Sequence, residues 1–258
     1  MRPQNYIGIT GFTERNQVER VLSVLPAVPS HLMMVGVLVS SKTLRGETND
    51  WPRRYPKVGY LGNIFTDHPQ TLNLLHFNTR KTGHIDEVLA ELKFAQNKAG
   101  PHCHGFQLNM PWPKPSLLEQ YKATQFKCKT VVLQCGGKAL EAVGMSGSAL
   151  ATKLQEYRGL IDYALVDPSG GVGQEFDLAL AEECFAYLED LDWLGYGIAG
   201  GLEVGNLSRL NTLLQRYPNF SIDAQGRLRV KDSDELDIPA AIDYLLTANY
   251  LFERGVLA

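Results

Sequence analysis

The chain has 258 residues, of which 44% are apolar and 21% are charged, with a formal net charge of −3 and a pI near 6.1. This length suits one large α/β domain or two small ones, and the apolar content is enough for a sizeable core. The weak negative charge gives no electrostatic case for binding nucleic acid or an anionic membrane surface. No stretch approaches the roughly 18–20 apolar residues that span a bilayer, and the first residues lack the apolar core of a signal peptide.

The four cysteines show no paired spacing of the CxxC kind. They stand at positions 103, 128, 135 and 184. Neither a zinc site nor a disulfide framework is indicated, so we expect no metal, no cofactor and a reducing, cytoplasmic setting. The oligomeric state stays open, with a homodimer as one option.

Apolar runs and amphipathic runs alternate along the chain. Predicted strands cover 6–12, 32–40, 71–78, 105–110, 130–135, 163–166, 194–199 and 220–223. Predicted helices cover 14–25, with Thr13 as N-cap, and then 85–98, 116–124, 148–157, 176–189, 206–217 and 238–254. Residues 41–70, rich in proline, glycine and aromatic residues, break this rhythm and indicate an elaborated connection after the second strand.

Eight strands, nearly all followed by helices, predict a single (β/α)₈ TIM barrel over residues 1–258. A doubly wound open sheet is the alternative, but the glycine-rich loops that follow strands six to eight favour the barrel.

The stretch 162–177 carries the densest chemistry. A short buried strand delivers Asp167, and the glycine-rich turn Gly170-Gly171-Val172-Gly173 leads into a helix. Main-chain N–H groups at such a turn can hold an anion, so Asp167 is a candidate catalytic group beside a phosphate site. The alternative is a tight strand-to-helix turn that Asp167 caps.

Barrel enzymes carry their reacting groups at the C-terminal ends of the strands, with phosphate typically near strands seven and eight. That rule selects Gly200 and Gly201 after strand seven, and Asp223 and Gly226 at strand eight. The glycines are candidate phosphate ligands, although Gly200 and Gly201 also suit close packing. Asp223 is a candidate for binding substrate hydroxyl groups or for capping its loop.

Four further side chains stand near strand ends. Cys135 and His76 are candidate catalytic groups, and each is also compatible with an inert buried side chain. Gln107 and Asn109 share one face of strand four, because side chains alternate with period two, and are candidates for binding substrate.

Several short motifs occur in a familiar order. They are Gly8-Ile9-Thr10, Gln107-Leu108, Val166-Asp167 with Gly170-Gly171-Val172-Gly173 and Phe176-Asp177, and Ala199-Gly200-Gly201-Leu202 with Asn206. Together they resemble phosphoribosylanthranilate isomerase, the tryptophan-pathway barrel enzyme, whose counterparts run CGIT, QLH, LD…GGTG…FDW and AGGL…N. The resemblance implies a phosphate near Gly171, Gly173, Gly200, Gly201 and Gly226.

The departures from that family bear on the chemistry. The family's general acid, the aspartate that ends strand six, is matched by Asp167, but its general base, a cysteine before Gly-Ile-Thr, is replaced by Ile7. Asn109 stands where the family has histidine, and Lys42 and Arg45 are the candidates for its carboxylate-binding arginine. Because an isomerisation of this type needs both an acid and a base, the orthodox reaction is not expected.

We therefore expect an enzyme of isomerase, epimerase or lyase type that acts on a small phosphorylated, sugar-like substrate. The alternative is a catalytically silent barrel that binds a metabolite and serves as a sensor or partner protein.

Overall fold

The computed structural model describes residues 1–27, 29–79, 81–168 and 177–255. Eight parallel strands pair in sequence order, and β1 pairs with β8, so the sheet closes into a barrel. The strands are β1 (Tyr6–Thr10), β2 (Leu32–Ser40), β3 (Thr71–Asn78), β4 (Gly105–Asn109), β5 (Thr130–Gly136), β6 (Tyr163–Asp167), β7 (Gly195–Ala199) and β8 (Ser221–Ala224). The (β/α)₈ prediction is confirmed.

Helices follow most strands. They are α1 (Arg15–Leu22), α2 (Ser41–Leu44), α3 (Ile85–Ala99), α4 (Pro115–Lys122), α5 (Gly137–Glu141), α6 (Gly147–Gln155), α7 (Leu178–Leu188), α8 (Asn211–Leu214) and α9 (Ile238–Gly255). Among these helices, none in the described part of the chain combines the length and apolarity that crossing a bilayer would require.

Two apolar layers hold the barrel. The outer layer lies between strands and helices and contains Ile7, Val35, Leu133 and Val166 among many others. The inner layer fills the barrel's interior with Tyr6, Met34, Leu72, Leu74, Val132, Tyr163, Leu165 and Ala199. Because alternate residues of a strand face opposite sides, both layers come from the same continuous apolar runs.

The connection after β2 takes the place of a regular barrel helix. After α2 it forms two 3₁₀ segments, Pro52–Arg54 and Val58–Asn63. Its first part is fastened to the loop after β8, since Arg54 donates two hydrogen bonds to Asp234, at 2.6 and 2.7 Å. Arg53 pairs with Glu235 at 2.6 Å. The loops after β2 and β8 therefore meet beside the end of β1, the strand between them.

Local details differ from the predicted elements. The helix expected over 206–217 is a 3₁₀ segment, Val204–Leu210, followed by the single turn of α8. A short helix, α5, occupies part of the expected glycine-rich loop after β5. Glu14, not Thr13, caps α1, and Gln17 completes its capping box.

Candidate functional site

Five polar side chains form a continuous hydrogen-bonded chain inside the C-terminal mouth of the barrel. The Thr10 hydroxyl donates to Asp223 Oδ1 at 3.0 Å. Gln107 Nε2 donates to Asp223 Oδ2 at 3.0 Å and to Gln134 Oε1 at 3.1 Å. Gln134 Nε2 donates to Asp167 Oδ2 at 2.7 Å. Two carboxylates, on β8 and β6, are thus connected through amides supplied by β4 and β5.

The pleat of the strands explains why these side chains meet. Thr10, Gln107 and Gln134 lie near the ends of their strands and point inward, whereas their sequence neighbours Ile9, Leu108 and Leu133 belong to the outer layer. Space around Asp223 comes from Gly8, where an added Cβ would stand 2.7 Å from Asp223 Oδ1. A larger residue at position 8 would displace the carboxylate.

Asp223 lies in an environment that perturbs the pKa of its carboxyl group. Burial raises the pKa of Asp223 to about 7, the negative charge of Asp167 adds to the rise, and the hydrogen bonds from Gln107 and Thr10 oppose it. Asp223 therefore titrates in the region of neutral pH. A carboxyl group of this kind is poised to accept or release a proton.

His76 lies beside this chain and is held neutral. It pairs in register with Gln107, and burial lowers the pKa of His76 to about 4. His76 Nδ1 and Gln107 Oε1 are both buried, and neither has a hydrogen-bond partner among the residues that the structure describes. Neutral His76 and the Gln107 amide therefore line the wall of the mouth with polar atoms that can still form hydrogen bonds.

The loop after β7 has a shape fixed by its glycines and by Asn206. Gly200 and Gly201 adopt φ values of 102° and 63°, in the left-handed region that favours glycine. Asn206 Nδ2 donates to the Gly201 carbonyl at 2.7 Å, and Asn206 Oδ1 accepts from the Glu203 N–H at 3.0 Å. Gly226 lies exposed in the loop after β8. Gly171 and Gly173 lie outside the described residues.

Some predicted site residues are not brought to the polar chain. Cys135 is completely buried in the outer layer with Cys184, and burial raises the pKa of its thiol. Arg45 is half exposed and forms an ion pair with Glu47 at 2.6 Å. Asn109, at the end of β4, is partly buried at the mouth, next in register to Asn78.

Three residues that the structure places at the mouth are not among the candidate residues that the sequence indicates. Gln134 faces inward two residues after Val132 of the inner layer, so its position in the strand was the available signal. Thr10 is the last residue of the Gly8-Ile9-Thr10 motif. Arg229 donates a hydrogen bond to the Thr10 carbonyl at the end of β1. The two residues are far apart in the sequence, so no local pattern indicates this contact.

Ile7, the position that the resemblance assigns to the general base, belongs to the outer layer. On β1 the inward-facing positions are Gly8 and Thr10, which lie against Asp223. Among the residues that the structure describes, no group of three or more histidine, cysteine, aspartate or glutamate side chains is arranged to hold a metal ion.

These features define a TIM barrel with a polar, carboxylate-bearing mouth. No protein-family model and no curated protein sequence matches the chain. Among solved structures, it is similar to phosphoribosyl anthranilate isomerase from Thermococcus kodakaraensis, with a TM-score of 0.60 and 14% identity over 95% of this chain and 98% of that one. The phosphoribosylanthranilate isomerase-like fold is therefore confirmed, and at this identity the likeness shows the fold alone.

A second similar structure is the carboxyl transferase domain from Rhizobium etli pyruvate carboxylase. Its TM-score is 0.53 and its identity 12%, and the match covers 98% of this chain but 48% of that one. The same domain with pyruvate gives a TM-score of 0.53 at 11% identity. Both chains carry the barrel within a longer polypeptide.

Proposed function

We propose that this protein is an acid–base enzyme of isomerase, epimerase or lyase type, acting on a small phosphorylated, sugar-like substrate in the mouth of the barrel. The observation that carries the proposal is the pair of buried carboxylates, Asp167 and Asp223, connected through Gln134 and Gln107. Reactions of this type remove a proton from one atom of the substrate and return one to another, and two carboxyl groups in different environments can share that work.

Asp167 and Asp223 take complementary roles in this proposal. Asp167 acts as the acid, the role that the resemblance gives it. Asp223 acts as the base in place of the missing cysteine, because its pKa of about 7 lets it accept a proton near neutral pH. We expect kcat/KM to rise with pH through about 7, as Asp223 loses its proton.

Main-chain N–H groups of the glycine loops bind the substrate's phosphate in this proposal. Gly200 and Gly201 have the fixed, left-handed conformation described above, and Gly226 is exposed after β8. Gly171 and Gly173 are assigned to the same pocket by the resemblance. Asn109 and neutral His76 are proposed to hold substrate hydroxyl groups, while Gln107 positions Asp223.

The alternative proposal is a barrel that binds a metabolite without turning it over. It is favoured by Ile7, whose side chain lies in the outer layer and supplies no base at the mouth. It is opposed by Asp223, which places a second titratable carboxyl group beside Asp167. Turnover by the wild-type protein separates the two proposals.

The test begins with a thermal-shift screen of phosphosugars and anthranilate derivatives, since a ligand that binds the folded state raises its stability. Turnover of each hit is then compared in wild type, in Asp167→Asn, and in Asp190→Asn as a matched control, because Asp190 is exposed and lies outside the mouth. We expect Asp167→Asn to lower kcat by about 10²–10⁴-fold, with the ligand's thermal shift retained.

Equal kcat in wild type and Asp167→Asn would show that Asp167 has no catalytic role. Ligands that stabilise the wild type without any turnover would favour the metabolite-binding alternative.

A further inference from the structure

Arg229 is a cation at the mouth of the barrel that the mechanism above does not use. It lies in the loop after β8 and is only partly exposed. Its side chain reaches across to β1, where Nη2 donates to the Thr10 carbonyl at 2.9 Å. Since the Thr10 hydroxyl holds Asp223, the guanidinium and this carboxylate contact two ends of the same residue.

Among the described residues, the hydrogen bonds of Arg229 all go to main-chain carbonyl groups. Besides the Thr10 contact, Nε donates to Gln225 at 3.2 Å and Nη1 to Gly11 at 3.5 Å. A guanidinium has five N–H donors, so two remain for another acceptor. Within the described ranges, no carboxylate forms an ion pair with Arg229.

The backbone directly after β1 makes room for this side chain. Gly11 has a φ of 117°, and a Cβ at this position would overlap the guanidinium. Glycine alone adopts this conformation readily and leaves the space that Arg229 occupies. The position of the guanidinium is therefore set by packing as well as by hydrogen bonds.

The charges around Arg229 leave a local excess of positive charge. Arg54 lies close enough to repel it, and Asp234, which attracts it, is already bonded through both oxygens to Arg54. Arg53 and Glu235 pair with each other. Burial, with the repulsion from Arg54, lowers the pKa of Arg229 to about 10, so it remains charged at neutral pH.

We propose that Arg229 binds an anionic oxygen of the substrate, a carboxylate or a phosphate oxygen, between the ends of β8 and β1. The inference rests on the proposed function, which places the substrate in the mouth. It adds a positively charged side chain to the binding site, where the glycine loops offer main-chain N–H groups. An anion there would accept the two remaining N–H donors and neutralise the excess charge. It would also place the substrate within reach of Asp223.

The test measures binding of inorganic phosphate and of malonate, by calorimetric titration, to wild type and three variants. Arg229→Gln removes the charge, Arg229→Lys keeps it without the planar fork, and Arg53→Gln is the matched control at the same rim. We expect Arg229→Gln to weaken the binding of at least one anion by about tenfold or more, and Arg229→Lys by a smaller factor. Arg53→Gln should bind within about twofold of wild type. Whichever anion depends on Arg229 identifies the chemistry of the group it binds.

Anion affinities that agree within twofold among wild type, Arg229→Gln and Arg229→Lys would overturn the inference. Arg229 would then serve only to connect the loop after β8 with the end of β1. Absence of binding of either anion to the wild type would overturn it as well. If Arg229→Gln does not fold, the anion affinities of Arg229→Lys and Arg53→Gln are compared. The inference then requires weaker binding in Arg229→Lys than in Arg53→Gln.

Turnover separates this inference from the proposed function. Active wild type with an unchanged KM in Arg229→Gln would reject the inference alone. Anion binding that requires Arg229, in a protein without turnover, would reject the proposed function alone.

Discussion

Asp223 combines nearly complete burial with two hydrogen-bond donors and a nearby negative charge. The Thr10 hydroxyl and Gln107 Nε2 stabilise its ionised form, but burial outweighs them and leaves the pKa at about 7. In the unfolded chain the same carboxyl group titrates near 4. The folded protein therefore holds a proton on Asp223 at pH values where the unfolded chain has released it.

This difference gives a test by stability alone. Between about pH 4 and pH 7 the folded state binds more protons, so Asp223 makes the free energy of unfolding fall as pH rises, by on the order of 4 kcal/mol in total. Asp223→Asn removes this contribution, and asparagine can still accept from Gln107 and bond to Thr10. Urea unfolding of both proteins from pH 5 to pH 8 should show the wild type losing stability relative to the variant. Parallel curves would mean that Asp223 titrates normally.

The residues of the site differ in how far sequence could predict them. Asp167 and Asp223 are carboxylates at predicted strand ends, so the barrel rule alone selects them. Gln134 lies inside an apolar strand, where its chemistry depends on which neighbours share its face. Arg229 depends on a contact between residues 219 positions apart, and no local pattern encodes such a contact.

At the scale of elements, the strands were predicted closely because a strand covered on both faces is a continuous apolar run. The predicted bounds of β2 and β3 agree with the structure. Residues 206–210 are predicted as part of a helix over 206–217, but they belong to the 3₁₀ segment Val204–Leu210. Its start is fixed by the Asn206 contacts to Gly201 and Glu203, which are tertiary constraints of the loop rather than helix propensity.

The register of β1 decides whether a base introduced at position 7 could act at the mouth. Ile7 belongs to the outer layer, and only the neighbouring positions, Gly8 and Thr10, face Asp223. Side chains alternate along a strand, so a new thiol at position 7 would face the helices. We expect Ile7→Cys to gain no isomerase activity on phosphoribosylanthranilate and to lose about 1–3 kcal/mol of stability through the smaller side chain. The measurements are a turnover assay and urea unfolding.

Val35→Cys is a matched control for that experiment, because Val35 is another buried outer-layer residue on the neighbouring strand. Both variants should lose stability and neither should gain turnover. Isomerase activity in Ile7→Cys alone would contradict the register of β1.

At the scale of the whole molecule, the barrel interior is divided into an apolar floor and a polar mouth. The floor is the inner layer around Leu74 and Leu165, and the mouth is the chain from Thr10 to Asp167. The floor stabilises the fold through packing, whereas the mouth places five polar side chains in the interior of the barrel. That arrangement is costly for stability unless every group is bonded, so it indicates a function.

A pair of neighbouring residues separates these two roles. Leu165 of the floor and Gln134 of the mouth are partners in register on β6 and β5. Leu165→Ala leaves a cavity and should lower the free energy of unfolding by about 2–5 kcal/mol, with kcat of the folded protein retained. Gln134→Leu keeps a similar volume but removes the donor to Asp167 and the acceptor for Gln107. Gln134→Leu should lower kcat by about tenfold or more, because the Asp167 carboxylate loses the hydrogen bond that orients it. Equal effects of both variants on kcat, after correction for the folded fraction, would show that the polar chain contributes to stability only.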